Sequence, residues 1–505
     1  MDRIADSTPI VAGVGQCVER GSNELPPVEF AARAAAAAIA DAGGRGLAAA
    51  IDTIAVSRFF CDSVPMWASP FGRSNNPPES VARRIGARPR SRIYTSVGGN
   101  EPQSRLIEFA HDIARGEREC VLLTGAEAIR NERHARRAGR ELDWSEHHDV
   151  ALEERDPDLA LLSPQEIANG LMLPIDCYSL IEQARASALG RSVAAQREHM
   201  GRLWAAFAAI AAHNPMAQFP VAPSADEILA ATPLTHLYTR RMVAQDGVNQ
   251  GAAVLLTSVA RARTLGIAPE RWVFLHGLAE GREPLLSERP DPGNAPVAGA
   301  VLARALALAG IGIDDIDPID VYSCFPCAVS MIAEHLGIVD DGSRALTLTG
   351  GLPFFGGPGN NYTTHAIAEM VQHLRRTPQA FGLVTANGGI FSKHAAGIYS
   401  CRPSTVDWGT AATRVDGSQN VRRRIAATRP SEGRIVCWTI ACSEGAPSHG
   451  MIIAGTDGGE RFTARTAPGD QATIAALLDA DRSGMRVRTA PAKGETLHFT
   501  LEQND

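Results

Sequence analysis

The sequence predicts an α/β protein with a mainly parallel sheet, a duplicated core and a small, mostly β domain at the end of the chain. Most of the 505 residues alternate between short apolar segments and helical patterns, which is typical of strands joined by crossover helices. Two segments, beginning at Ser96 and Gly356, share the order glycine turn, asparagine, helix, apolar strand and glycine. This self-similarity indicates a duplicated βα unit. After Pro403 the pattern changes to short strands separated by turn residues.

Residues 1–125 form the first half of the predicted core. Its expected strands are PIVAGVG from Pro9, IDTIAVSRF, RIYTSV and CVLLTG, and its expected helices are VEFAARAAAAAIADAGG, ESVARRIGA and a segment from about Pro102 to Gly116. Glycine after the last helical residue is a common helix end. Residues 126–257 break the alternation with an arginine-rich stretch, helices and loops, and the pattern returns at the strand AAVLLTS. We therefore expect a loop region inserted into the first half.

Residues 258–405 form the predicted second half, and residues 420–505 form an additional domain. The second half has expected strands at WVFLHGLAE, DPIDVYS, TLTGG and FGLVTANGG, and expected helices at VAGAVLARALALAG, CAVSMIAEHLG and HAIAEMVQHLRR. The additional domain has expected strands at GRIVCWTIAC, GMIIAGTD, ERFTARTA, RVRTA and ETLHFTLEQ, and an expected helix at DQATIAALLDA. Short strands at this spacing predict a barrel-like domain.

Composition and charge exclude several classes of protein. A net charge of -7 argues against a nucleic-acid surface, which needs a basic stripe. The nine cysteines are scattered and do not resemble the framework of a small secreted protein. The longest apolar stretches are shorter than the roughly 18 residues of a membrane span, and the start MDRIADSTPIVAGVGQ lacks the pattern of a signal peptide. We therefore expect a cytoplasmic protein without a membrane span.

The segment VYSCFPC places Cys324 and Cys327 three residues apart, which is the spacing of a redox pair or of half a metal site. Zinc would need a second pair or a Cys/His partner at suitable spacing, and none follows, so we expect no metal. Cys324 stands where a strand ends and a helix begins, and a helix dipole there would lower a thiol pKa and favour a nucleophile. The alternative is that both cysteines are small apolar residues packed under the helix.

Two glycine-rich loops follow in the second half, one from Gly350 to His365 and one starting at Thr385. Neither has the pattern of a phosphate-binding loop. Their glycines either form simple turns or let the backbone approach a ligand and expose N–H groups as an oxyanion hole. Together with VYSCF, these loops follow predicted strands at their carboxyl ends, where ligands bind in parallel α/β sheets. We therefore predict a ligand site there.

Three further residues beside these loops carry titratable groups. Lys393 is one of two lysines in the chain, the other being Lys493, whereas the remaining basic residues are arginine. A compact, titratable amine differs chemically from a guanidinium. His394 follows Lys393 directly, and His365 is expected on the next helix after its loop. A lone histidine is more often structural than catalytic, so a structural role and a catalytic role both stay open for His365 and His394.

The order of elements, the loop excursion and the glycine-rich loops resemble the thiolase superfamily. The segments HNPMAQF and MVAQDGVNQGAAVLL are similar to the end of the loop region in sterol-carrier-type thiolases. The resemblance as a whole covers about residues 5–402. The additional domain resembles that of the type 1 thiolase-like proteins. The resemblance implies a duplicated thiolase fold, five layers in the order αβαβα, with an inserted loop domain and a small, mostly β C-terminal domain.

This sequence departs from the family at each position where the resemblance places a catalytic residue. The nucleophilic cysteine is replaced by Gly98 or Gly99 in SVGGNEPQ, and the asparagine that holds a catalytic water by Tyr322. The activating histidine is replaced by Gly357 and the acid/base cysteine by Ala386. Claisen condensation needs an acyl-accepting thiol and a base, so the resemblance implies that acetyl-CoA acetyltransferase activity is absent or altered.

The resemblance also implies the ligand and the site. The ligand is a coenzyme A thioester, as substrate or carried molecule, with no further cofactor and a place in lipid metabolism. One alternative is an aldolase-type cleavage of a carbon–carbon bond that uses Tyr322, and another is a non-catalytic acyl-CoA or lipid carrier or scaffold. The expected assembly is a monomer or homodimer. The candidate catalytic residues are Tyr322, Cys324 and His394, and the candidate CoA-binding residues are Gly99, Asn100, Gly357, Asn361, Asn387, Gly388 and Lys393.

Overall fold

The first half of the chain forms a mixed sheet. The computed structural model describes residues 4–157, 159–417 and 422–502, so residues 420–421 and 503–505 of the expected additional domain and residues 1–3 of the first half lie outside the described residues. The strands are β1 (Pro9–Val18), β2 (Thr53–Val56), β3 (Ser91–Tyr94), β4 (Cys120–Glu127), β5 (Glu153–Glu154) and β6 (Gln250–Ser258). They lie in the order β5-β3-β2-β4-β6-β1. Strands β2, β3 and β4 are parallel, and β6 is antiparallel to β4 and β1.

The second half repeats this arrangement. Its strands are β7 (Val273–Arg282), β8 (Ile316–Asp320), β9 (Phe381–Gly388), β10 (Lys393–Ser400) and the short β11 (Arg414–Val415). The order β7-β10-β9-β8 and the strand directions match those of β1-β6-β4-β2. The two halves join where Ile10 and Val11 pair with Phe274 and Val273. The duplicated α/β fold predicted from the sequence is confirmed by this topology.

Helices cover and separate the two halves. They are α1 (Pro27–Ala42), α2 (Leu47–Ala50), α3 (Pro77–Ile85), α4 (Glu101–Ala114), α5 (Ile129–Arg137), α6 (Pro164–Ala168), α7 (Pro174–Ala188), α8 (Val193–Ala211), α9 (Ala225–Leu229), α10 (Val259–Thr264), α11 (Pro296–Ala309), α12 (Pro326–His335), α13 (Tyr362–Arg376) and α14 (Gln471–Asp479). Helices α4 and α13 each contact strands of both halves and form the central layer. Helices α1 and α3 pack on the first half, and α11 packs on the second.

Two predicted features of the second half are wrong in detail. The segment TLTGG is a loop, because Thr347 and Thr349 bind the buried Asp320 carboxylate instead of a strand. Glycines with positive φ angles, at 102° for Gly350 and 80° for Gly351, then turn the chain. The glycine-rich loop TANGGIFSKHAAG, expected from Thr385, is confined to residues 389–392, between the end of β9 and the buried strand β10. The sequence KHAAGIYS is buried on both faces, so it shows no alternation that would reveal a strand.

The C-terminal domain is a closed barrel. Its strands β12 (Glu432–Ser443), β13 (Ala446–Gly455), β14 (Arg461–Arg465), β15 (Arg486–Pro491) and β16 (Leu497–Leu501) lie in the order β12-β13-β14-β16-β15, with α14 between β14 and β15. This is the strand order of an OB fold. Buried residues such as Trp438, Phe462 and Phe499 fill the barrel. The barrel-like β domain predicted from the sequence is confirmed.

The barrel is attached to the loop region through buried polar contacts. The Thr439 hydroxyl donates to Ser179 Oγ at 2.7 Å, and the His236 backbone N–H donates to Ile440 O at 2.9 Å. The His236 ring stacks on Trp438 with 4.6 Å between centroids. The outward side chains of Cys437, Met451 and Ile453 join the core of the α/β body. The outer face of β12 and β13 therefore forms the joint, that is, the buried interface between the barrel and the rest of the chain.

In the part of the chain that the structure describes, no helix has the length and apolar character needed to cross a lipid bilayer.

Candidate functional site

Tyr322 lies where the carboxyl end of β8 meets the glycine turn before α4. Its backbone N–H donates to Thr385 Oγ1 at 3.1 Å, and its ring meets Tyr362 edge-on at 5.3 Å between centroids. A Cβ atom placed on Gly99 would lie 2.0 Å from the Tyr322 hydroxyl. That distance is far below van der Waals contact, so the phenol takes the space that a side chain at position 99 would need. Tyr322, from the second half, thereby occupies the space in which the resemblance to thiolases places the nucleophilic side chain.

The turn from Gly98 to Asn100 is held by both halves. Gly98 N donates to Asn360 Oδ1 at 2.9 Å, and the Thr363 hydroxyl donates to Gly99 O at 2.6 Å. The Asn100 amide donates to Ser104 Oγ at 3.1 Å. Among the described residues, its buried oxygen Oδ1 has no hydrogen-bond partner. A Cβ on Gly388 would lie 2.3 Å from that oxygen, so glycine is required there. The structure thus brings Gly99, Asn100 and Gly388 together.

Lys393 forms a buried ion pair at the start of α4. Its ammonium lies 3.2 Å from Glu101 Oε1, with 5% and 3% of the two side chains exposed, and it also donates to Val97 O. Glu101 lies in the first turn of α4, where the helix dipole favours a carboxylate. Burial lowers the pKa of the Lys393 ammonium, while Glu101 opposes that shift. The pair connects the turn of the first half to β10 of the second.

A cleft of about 850 Å³ opens beside this ion pair. Its lining includes Asn100 and Arg105 from the start of α4, Arg282 from the end of β7, and Lys393 and His394 from the start of β10. His394 is 3% exposed, and neither of its ring nitrogens has a hydrogen-bond partner within residues 4–157, 159–417 and 422–502. Burial lowers the pKa of His394 to about 3. The ring is therefore neutral at physiological pH.

Cys324 and Asn387 meet under the loop region. Asn387 Oδ1 accepts a hydrogen bond from Tyr178 at 3.2 Å and lies 3.8 Å from Cys324 Sγ. The Tyr178 ring stacks on Phe325 at 4.3 Å and covers this corner of the site. Burial raises the pKa of Cys324 to about 11, so the thiol stays protonated at neutral pH. This electrostatic environment does not favour a nucleophilic thiolate.

The two cysteines of VYSCFPC have separate surroundings. Cys327 lies 3.5 Å from the Tyr238 hydroxyl and 3.8 Å from Tyr178 O, whereas Cys324 faces Asn387. Both are free thiols. Their spacing in the sequence therefore reflects the packing of α12 against the loop region.

Gly357 and Asn361 make contacts of a different kind. The Asn361 amide donates to Gly125 O at 2.7 Å, and its oxygen accepts from Thr364 at 2.6 Å, so both ends of its side chain stabilise the loop. Gly357 N donates to Gln245 O at 2.8 Å and packs beside Ala244. These contacts indicate that Gly357 and Asn361 stabilise the loop.

The phenol of Tyr322 is kept neutral by its surroundings. Burial, followed by the nearby Cys324, raises the pKa of Tyr322 above its usual range. A phenol with a raised pKa gives up its proton only to a strongly basic atom, such as one that forms on a ligand during a reaction. Tyr322 therefore suits the role of proton or hydrogen-bond donor better than that of a base.

Sequence reasoning missed Tyr178, Asn360 and Glu101. Tyr178 belongs to a loop region whose packing no local pattern predicts. Asn360 stands in the same Asn-Asn pair as Asn361, and the sequence does not show which of the two reaches Gly98. Glu101 follows the predicted turn directly, and its position before a helical segment is the signal that could have identified it.

The fold defined by these two halves is that of the thiolases. No protein-family model matches the chain. Human mitochondrial 3-ketoacyl-CoA thiolase in complex with CoA superposes with a TM-score of 0.53 at 16% identity, over 79% of this chain and 99% of that one. An Ltp2–ChsH2(DUF35) aldolase gives 0.58 at 20% identity, over 78% and 98%. At these identities the likeness shows the fold alone.

A more similar structure defines the family. A monomeric SCP2-thiolase-like protein type 1 from Mycobacterium smegmatis is 36% identical, over 99% of this chain and 100% of that one, with a TM-score of 0.84. The chain therefore belongs to the SCP2-thiolase-like type 1 proteins. A curated 3-ketoacyl-CoA thiolase from Klebsiella pneumoniae subsp. pneumoniae is 28% identical over 134 residues, and the alignment spans 26% of this chain and 33% of that thiolase.

Proposed function

We propose that this protein binds a coenzyme A thioester beside the α4 turn and forms no acyl-enzyme at the thiolase nucleophile position. The observation that carries the proposal is the Tyr322 hydroxyl, 2.0 Å from where a Cβ of residue 99 would stand. A cysteine at position 99 would collide with this phenol. An acyl group linked to the turn therefore has neither a nucleophile nor space.

The surroundings of the turn support an acyl-CoA ligand. The start of α4 presents the positive end of a helix dipole, which favours anionic groups. The adjoining cleft is lined by five basic side chains, among them Arg105, Arg282 and Lys393, and by four carboxylates, and the basic groups suit the phosphates of coenzyme A. A structure of the same fold, the human mitochondrial thiolase, contains CoA. These features together favour binding of an intact thioester.

Calorimetric titration with acetoacetyl-CoA tests the binding. We expect saturable binding with one site, and about tenfold weaker binding for Arg282→Ala because one charge-assisted contact is lost. Arg90→Ala, an exposed arginine on the outside of the first half, is the matched control and should bind like the unaltered protein. Absence of any binding would reject the proposal, as would an equal loss in both variants.

A second candidate function is cleavage of a carbon–carbon bond in a 3-hydroxyacyl-CoA. The favouring observation is a neutral phenol, Tyr322, held over the Gly98–Gly99 turn. In this reaction the 3-hydroxyl loses its proton, the bond between carbons 2 and 3 breaks, and the remaining thioester enolate takes a proton at carbon 2. Tyr322 would donate that proton and regain one from solvent, which takes up the proton lost by the 3-hydroxyl. His394 would accept a hydrogen bond, since its low pKa makes it a poor base.

Release of an aldehyde or ketone from 3-hydroxyacyl-CoA tests this candidate. Tyr322→Phe should lower the rate by about 10²-fold or more, the usual contribution of a positioned acid. Cys324→Ala keeps the phenol and is expected to retain the rate. Turnover that survives Tyr322→Phe but not Cys324→Ala would overturn the assignment. Binding without turnover on any CoA ester would leave only the carrier function.

A further inference from the structure

Lys393 is an unusual residue for this chain. It is one of two lysines, and it is 4% exposed, whereas Lys493 lies on the surface of the barrel. Lysine is almost never fully buried without a partner, and arginine is the usual residue for a purely structural ion pair. The ion pairs described elsewhere in this structure between basic side chains and carboxylates use arginine or histidine. The choice of lysine over arginine at this buried position therefore suggests that the reactivity of its primary amine is used.

The ammonium of Lys393 is only partly satisfied by the protein. It is paired with Glu101 at 3.2 Å and donates to Val97 O. An ammonium has three N–H donors, and the described residues supply these two acceptors. Lys393 also lines the cleft of about 850 Å³. The amine can therefore contact a small molecule in this cleft, and Glu101 is in place to accept its proton.

We propose that Lys393 is a carbonyl-reactive amine that forms an imine with a small aldehyde or ketone bound in this cleft. The ammonium passes a proton to Glu101, and the free amine forms a bond from nitrogen to the carbonyl carbon. The carbonyl oxygen takes up that proton. A second proton from nitrogen follows through Glu101, and the oxygen leaves as water. The product is an iminium that keeps one N–H, so two of the three ammonium protons leave with the oxygen.

The neighbouring groups fit this chemistry. Desolvation lowers the pKa of Lys393, and the positive charge of Arg282 acts in the same direction, which raises the fraction of free amine. The proposal does not depend on coenzyme A binding, because its substrate class is any small carbonyl compound that the cleft admits.

Reductive trapping tests the proposal. The full-length protein is incubated with acetoacetate and sodium borohydride, and the modified residue is located by peptide mass spectrometry. We expect one reduced adduct on Lys393, the same adduct in Lys493→Arg, and none at position 393 in Lys393→Arg. Glu101→Gln keeps the shape of the side chain but removes the proton acceptor, and is expected to slow labelling by about tenfold or more.

Two controls make the outcome decisive. Thermal unfolding of Lys393→Arg and Glu101→Gln shows that both variants are folded, and pyruvate replaces acetoacetate as a second probe. Labelling of Lys493 or of the amino terminus alone, with both probes, would overturn the proposal. So would equal labelling in Glu101→Gln and the unaltered protein. Titration of the same variants with acetoacetyl-CoA tests coenzyme A binding separately, so failure of one proposal is distinguishable from failure of the other.

Discussion

Tyr322 and Gly99 are coupled because they compete for the same volume. Overpacking of a closed site usually costs about 1–3 kcal/mol, and Gly99 has no positive φ angle that would add backbone strain. We expect Gly99→Ala to lower the free energy of unfolding by about that amount. In a Tyr322→Ala background the phenol is gone, so the same substitution should cost less than half as much. A double-mutant cycle by urea unfolding measures this coupling.

Gly458→Ala is the control for the glycine effect itself. A Cβ there would meet only the Thr456 hydroxyl at 3.6 Å, an ordinary contact. It should change the unfolding free energy by less than about 0.5 kcal/mol. If Gly99→Ala costs the same with and without Tyr322, the two residues are independent and the phenol does not occupy the site as described.

At the scale of elements, Asp320 replaces a missing strand. In the first half β3 pairs with β2, but in the second half the segment from Thr347 to Gly351 is a loop. Asp320 Oδ2 accepts hydrogen bonds from the N–H groups of Leu348 and Thr349 and from the hydroxyls of Thr347 and Thr349, at 2.8–3.0 Å. The loop that leads to the glycine-rich segment therefore depends on one buried carboxylate.

Asp320→Asn should destabilise the protein by about 3 kcal/mol, because a neutral amide oxygen is a weaker acceptor than a carboxylate for these hydrogen bonds, and its NH2 group replaces the oxygen that accepts from Tyr362. Asp317→Asn is the control, because Asp317 is exposed on the same strand. Its effect is expected to stay within about 0.5 kcal/mol. Differential scanning calorimetry measures both variants, and similar melting temperatures for the two would show that the carboxylate does not hold the loop.

The sequence predicted the alternation of elements well and the site only in part. Strands with Val, Ile and Leu runs, such as β4 and β6, were visible because apolar periodicity reports burial directly. Strand β10 was hidden, since alanine and glycine bury without an apolar signal. Tyr322 could be identified from its place after β8. Its contact with Gly99, and the roles of Tyr178 and Glu101, depend on distances between halves that no local pattern encodes.

The joint between the barrel and the body carries a buried histidine. Burial is the main cause that lowers the pKa of His236 to about 3, and Arg197 adds to it. The folded pKa is below the unfolded value of about 6.5, so the contribution of His236 is complete above pH 6.5 and is lost as pH falls toward 3. Between pH 6.5 and 3 the unfolded chain binds one proton more at His236 than the folded chain does. This difference lowers the free energy of unfolding by about 1.4 kcal/mol per pH unit.

His236→Gln removes this titration while keeping a polar side chain at the joint. We expect its unfolding free energy to fall less steeply than that of the unaltered protein between pH 6.5 and 4.5, by about 1 kcal/mol per pH unit. Guanidinium unfolding at several pH values measures the two slopes. His147→Gln, on the surface, is the control and should leave the slope unchanged. Identical slopes for all three proteins would contradict the assignment.

At the scale of the whole molecule, the edge of the first sheet is covered by its own chain. Residues Glu153 and Glu154 of β5 pair with β3, and Glu154 forms an ion pair at 2.8 Å with Arg58, which is 4% exposed. A two-residue, charged edge strand is a poor template for pairing with a second copy. We propose a monomer, and light scattering after gel filtration should give a mass near 53.6 kDa at micromolar concentration. Twice that mass would contradict it.

Native mass spectrometry with acetoacetyl-CoA tests the central claim most directly, because one spectrum separates binding from acyl transfer. We expect a species heavier than the free protein by one intact acetoacetyl-CoA, which reverts to the free mass when the sample is denatured. A species that keeps the mass of the acyl group alone after denaturation would reveal an acyl-enzyme. That result, or a spectrum with no bound ligand, would contradict the account.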